Sequence, residues 1–113
     1  MGELDGQVAI ITGAGRRRRI GYSTAIALAT LGADIVVTGT GRDPSTFPDD
    51  EKKIGWKDVI STAEDIQNLG RQALPITVDV TDVGQTENMV SQAVEKFGRV
   101  DILINNAAVA VGK

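Results

Sequence analysis

The chain has 113 residues, 42% apolar and 24% charged, with a net charge of −3, no cysteine, no histidine, one tyrosine and one tryptophan. That composition suits one ordinary globular domain and excludes disulfides, thiolate nucleophiles, cysteine-zinc sites and any triad built on histidine. The small negative charge gives no global pull toward nucleic acid or an anionic membrane, and no stretch reaches the roughly 18 apolar residues of a membrane span.

Met1-Gly2-Glu3-Leu4-Asp5 lacks the basic and then apolar opening of a signal peptide, so a reducing, cytoplasmic setting fits. Val8-Ala9-Ile10-Ile11 is a continuous apolar run ending in Thr12-Gly13-Ala14-Gly15, which predicts a strand buried on both faces and a tight turn. Beyond Arg16 to Arg19, residues Ile20, Ala25, Ile26, Leu28, Ala29 and Leu31 fall at helical spacing, with Gly32 as the stop. Ile35-Val36-Val37 predicts a second strand that breaks into Thr38-Gly39-Thr40-Gly41-Arg42. Residues 43 to 55 hold two prolines and the charged run Asp49 to Lys53, and read as a solvated surface loop or short insertion.

Trp56, Val59, Ile60, Ala63, Ile66 and Leu69 trace one face of a second helix closed by Gly70. Ala73, Leu74, Ile76 and Val78 predict a third strand running into Asp79-Val80-Thr81-Asp82. Asp82 with Gln85 resembles a capping box, and Val83, Val90, Ala93, Val94 and Phe97 then form the face of a third helix that stops at Gly98. Val100, Ile102, Leu103 and Ile104 give a fourth strand leading to Asn105-Asn106-Ala107-Ala108. Trp56 and Phe97 are expected as core anchors.

Strands and helices alternate throughout, which predicts parallel βαβ units and an α/β, Rossmann-type doubly wound sheet. Such sheets bind ligands outside the carboxyl ends of their strands. Gly13, Gly15 and Gly21 lie between the first strand and the first helix, where glycines let the backbone approach a pyrophosphate and the helix start offers free N–H groups. Their spacing is longer than G-x-G-x-x-G. Tyr22, rather than lysine, follows Gly21, which excludes a phosphate loop of the G-x-x-x-x-G-K type.

Thr12-Gly13-Ala14-Gly15, Ile20-Gly21, Asp79-Val80 and Asn105-Asn106-Ala107-Ala108 resemble, in order, the motifs of the short-chain dehydrogenase/reductase family. The resemblance covers nearly the whole chain, with Arg19 at the place of a motif glycine, a first loop about two residues longer, and Ala108 where glycine is usual. It implies that Gly13, Ala14, Gly15, Arg16, Arg19, Ile20 and Gly21 hold cofactor phosphates. Asp79 and Val80 would meet adenine, and Asn105, Asn106 and Ala107 would line the cofactor. The implied reaction is hydride transfer between nicotinamide and a carbonyl or alcohol.

Charge suggests which dinucleotide. The position at the end of the second strand where NAD-selective folds carry an acid is Gly39, with Thr40 and Arg42 following, so NADP(H) is expected over NAD(H). The family's Ser, Tyr and Lys would come after the fourth strand; Tyr22 lies in the first helix instead. Residues 1–113 are therefore expected to be the dinucleotide-binding half of one domain, inactive alone, with four strands in the order 3-2-1-4 and three helices. Strand four would be an open edge, which calls for a companion C-terminal fragment or a homo-oligomer.

Blander readings stand beside these. The four arginines would then be a solvated loop or a nucleic-acid patch, Asp79 a turn cap, and Asn105 and Asn106 turn formers. The alternative function is a non-catalytic nucleotide-binding or interaction module. No metal, membrane or nucleic-acid partner is expected, and the substrate is not readable.

Overall fold

The computed structural model describes residues 3–13, 20–39, 48–79 and 82–104. Its elements are β1 (Val8–Ile11), α1 (Ile20–Thr30), β2 (Asp34–Gly39), α2 (Asp49–Lys53), α3 (Val59–Asn68), β3 (Ala73–Thr77), α4 (Val83–Phe97) and β4 (Ile102–Ile104). The four strands form one parallel sheet in the order β3-β2-β1-β4. The order and the α/β class are those read from the sequence. All four residues of β1 are buried, as the inner strand of a sheet covered on both faces requires.

Two apolar layers sandwich the sheet. On one face Ala9, Ile11, Ile35 and Val37 pack against Ala25 and Ala29 of α1 and Val59, Ala63 and Ile66 of α3. The alanines are small enough to let α1 lie close to the strands. On the other face Val8, Ile10, Val36 and Ile76 meet Met89 and Ala93 of α4, with Phe97 and Val100 partly buried beside them. Trp56 is also buried, in line with its expected anchoring role. Pro75 sits inside β3 opposite Val37, which is tolerated because β3 is an edge strand.

Three expectations need correction. Asp49 to Lys53, read as solvated loop, form the short helix α2, and Glu51 within it is only 2% exposed. Three acids in its first turn and two lysines in its last complement the helix dipole, a pattern invisible to an apolar-period reading. The third predicted helix is only partly as expected: Ala93 is buried and Phe97 partly buried, but Val83, Val90 and Val94 of the predicted face are exposed and Met89 takes their place in the core. Ile60 and Leu69 of the α3 segment and Leu31 after α1 likewise face outward rather than into the core.

The predicted helix stops hold. Gly32, Gly70 and Gly98 all have left-handed backbones just past α1, α3 and α4. The Asp82 carboxylate caps α4 by accepting the Gln85 N–H. Among the described residues no helix is long and apolar enough to cross a membrane.

At the opposite end of the sheet from the glycine loop, Asp101 joins β4 to β1. Its carboxylate accepts the Val8 N–H at 2.8 Å and is gripped on both oxygens by Arg99. The Arg99 hydrogen bonds, then the Val8 amide, hold the Asp101 carboxyl below the usual carboxylate range.

Candidate functional site

The carboxyl ends of the four strands form one edge of the sheet, and β1 supplies its centre. Ile11 pairs with Val37 on one side and Ile104 on the other, so the residues after it emerge between two neighbours. Thr12 is buried and donates its backbone N–H to the Ile104 carbonyl at 3.0 Å, extending the β1–β4 ladder by one bond. Gly13 then turns the chain with φ 69°, a left-handed backbone that a side chain would strain. The chain returns in α1, antiparallel to the strand, so the first turn at Ile20 and the buried Gly21 faces this same edge.

On the β2 side, Gly39 ends the strand buried and accepts the Val78 N–H at 2.8 Å. A side chain is therefore missing where β2 reaches the edge. One residue earlier, the Thr38 hydroxyl is fully buried and has no hydrogen-bond partner among the described residues. Beyond β3, Asp79 follows Val78 and is exposed, with its backbone N–H bound to Gln85 Oε1 at 2.8 Å.

Of the sequence-predicted residues, Gly13, Ile20, Gly21 and Asp79 lie together along this edge. Ala14, Gly15, Arg16, Arg19, Thr40, Arg42, Val80, Asn105, Asn106 and Ala107 lie outside the described residues. Thr12, Thr38 and Gln85 went unnoticed as site residues. A threonine ending each β-branched run was the available signal for the first two. Among the described residues, no three His, Cys, Asp or Glu side chains gather as a metal site.

The arrangement offers polyanion chemistry at its centre and a carboxylate at one end. A helix start carries a partial positive charge that favours an anion, and the side-chain-free backbone at Gly13 and Gly39 leaves room for a phosphate to approach. Tyr22 takes no part at the edge through its hydroxyl, which points to α3 and donates to Asp65 at 2.6 Å.

Comparison with known proteins bears on this site. Residues 7–113 match the family described as short chain dehydrogenase. A 12alpha-hydroxysteroid dehydrogenase of Clostridium sp. is 42% identical over 112 residues, which cover 95% of this chain and 38% of that protein. A (-)-trans-carveol dehydrogenase of Rhodococcus erythropolis is 40% identical over 111 residues, covering 97% of this chain and 38% of the relative. The chain thus spans well under half the length of both. Among solved structures, carveol dehydrogenase from Mycobacterium avium in complex with NAD superposes with a TM-score of 0.78 at 32% identity, over 99% of this chain and 39% of that one.

Proposed function

The chain belongs to the short-chain dehydrogenase family, and from that premise we propose that residues 1–113 are the dinucleotide-binding half of an oxidoreductase that moves hydride between nicotinamide and a carbonyl or alcohol. The observation that carries this reading is the meeting of Gly13, the α1 start and the ends of β2 and β3 on one edge of a 3-2-1-4 parallel sheet. When bound, the dinucleotide supplies the hydride carrier. The chain's own work is binding: backbone N–H groups at Gly13 to Gly21, with Arg16 and Arg19, hold the phosphates, Asp79 and Val80 hold adenine, and Asn105, Asn106 and Ala107 line the remainder.

The backbone fits such a group. The left-handed Gly13 and the side-chain-free Gly39 leave room beside the strand ends, and the buried Thr38 hydroxyl next to Gly39 has no partner among the described residues. At the ribose end, Gly39 in place of an acid and the nearby Thr40 and Arg42 favour NADP(H). A second reading, NAD(H), is favoured by the likeness to a carveol dehydrogenase in complex with NAD. Titrating the chain with NADPH and with NADH, followed by nicotinamide fluorescence, separates them. Tighter NADPH binding is expected, and tighter NADH binding overturns the preference.

Proton transfer to the carbonyl needs a phenol or similar acid beside the nicotinamide, and Tyr22 is engaged with Asp65 instead. We therefore assign the catalytic groups to residues beyond this chain, with a C-terminal fragment or a second copy completing the sheet in the cytoplasm. Reduction of a carbonyl substrate by the 113-residue chain with NADPH overturns that assignment. If no dinucleotide binds at all, the interaction-module alternative takes its place.

A further inference from the structure

We propose that Gln85, on α4, is a positioning residue for the adenine end of the site, holding the main chain of Asp79 in place. The inference rests on the dinucleotide reading above, in which Asp79 meets adenine.

Three hydrogen bonds join Gln85 to residues that precede α4. Its backbone N–H donates to Asp82 Oδ1 at 3.2 Å, its side-chain Nε2 donates to Asp82 Oδ2 at 3.3 Å, and its Oε1 accepts the Asp79 N–H at 2.8 Å. An ionised carboxylate only accepts, so Asp82 fixes which way the Gln85 amide faces. The amide oxygen is thereby aimed at Asp79.

In an ordinary capping box, the side chain three residues into the helix returns to the N-cap residue's own N–H. Here that donor is already used: the Asp82 N–H goes to the Asp79 carbonyl at 3.0 Å. Gln85 reaches past it to the residue that follows the last ladder bond, Val78 N–H to the Gly39 carbonyl. Asp79 therefore has both its N–H and its carbonyl bound by the start of α4. The helix cap is joined to the strand end, and the backbone that carries the Asp79 carboxylate is set by a side chain outside the ligand edge.

The test uses Gln85→Met, which keeps the length but removes the amide, and Gln85→Glu, which keeps an accepting oxygen. Each is titrated with AMP, with nicotinamide mononucleotide and with NADPH. Gln85→Met is expected to weaken AMP and NADPH about threefold to tenfold, the size of one net hydrogen bond, while nicotinamide mononucleotide binds as before. Gln85→Glu keeps an acceptor for the Asp79 N–H but loses the donor to Asp82 and sets two carboxylates together, so it is expected to weaken AMP as well. Unchanged AMP affinity in Gln85→Met, or equal weakening of both half-ligands, overturns the inference while leaving the dinucleotide reading intact. Failure of the wild-type chain to bind AMP and NADPH overturns both.

Discussion

The phenol of Tyr22 on α1 donates to the Asp65 carboxylate on α3 at 2.6 Å, and its ring meets Trp56 edge-on with centroids 5.8 Å apart. The chain's single tyrosine thus ties the helix that opens at the candidate phosphate site to its neighbour on the same face of the sheet. Removing only the hydroxyl tests this link. Tyr22→Phe is expected to lower stability by about 1.5 kcal/mol, the low end for a bond to a charged group because the pair is only partly buried. A urea midpoint that does not move would show that the bond adds nothing to the fold.

Asp101 gives a pH-dependent counterpart. Hydrogen bonds from Arg99 and from the Val8 N–H lower its folded pKa below the ordinary 3.8. As pH falls, the unfolded chain takes up this proton first, so the contribution is complete above the unfolded value and is lost as pH drops through the folded one. Other carboxylates titrate in the same region, so the informative quantity is the difference between wild type and Asp101→Asn. That difference in urea midpoint is expected to be constant from about pH 5 to 7 and to shrink below about pH 4. A difference that stays level down to the acid transition would remove Asp101 from the account.

Much of this fold was legible because parallel strands buried on both faces must be apolar along their whole length, as Val8 to Ile11 are. The glycine stops and the Asp82 cap were equally open to reading, since each answers a local backbone need. What escaped depends on contacts between distant segments. Glu51 is buried though nothing near it in sequence marks it, and Asp101 reaches Val8 across 93 positions. On α4 both the valine stripe and the Met89–Ala93 stripe are apolar and lie roughly a quarter turn apart, so period alone could not choose between them. At the site, Gly13, Gly21 and Asp79 became candidates through the resemblance of their motifs, whereas the reach of Gln85 to Asp79 required the path of the chain.

Gly32 and Gly70 offer a paired comparison. Both follow a helix with positive φ, +107° and +86°, but a Cβ at Gly70 meets nothing within 4 Å, whereas one at Gly32 would run into the Asp5 carboxylate. Asp5 in turn lies 3.8 Å from Arg71, whose Nη1 donates to the Gly32 carbonyl at 3.1 Å. Gly70→Ala is expected to cost about 1 kcal/mol, the backbone penalty alone. Gly32→Ala adds the displacement of Asp5 and is expected to cost about 1 kcal/mol more. Equal melting temperatures for the two variants would show that Asp5 moves aside freely.

The two stripes of α4 make opposite predictions. Met89 is 2% exposed and packs under Val36 and Ile76, so Met89→Ala leaves a cavity and is expected to cost about 2 to 3 kcal/mol. Val94 is 46% exposed on the same stripe as Val83 and Val90, and a charge there disturbs no core. Val94→Glu is expected to change stability by less than about 0.5 kcal/mol. Leu103 on β4 is 61% exposed as well, which adds to the apolar surface the chain presents. Such surface promotes association, so Val94→Glu is also expected to shift sedimentation toward the monomer. If Val94→Glu instead destabilises as strongly as Met89→Ala, the valine stripe is covered in solution by another copy of the chain.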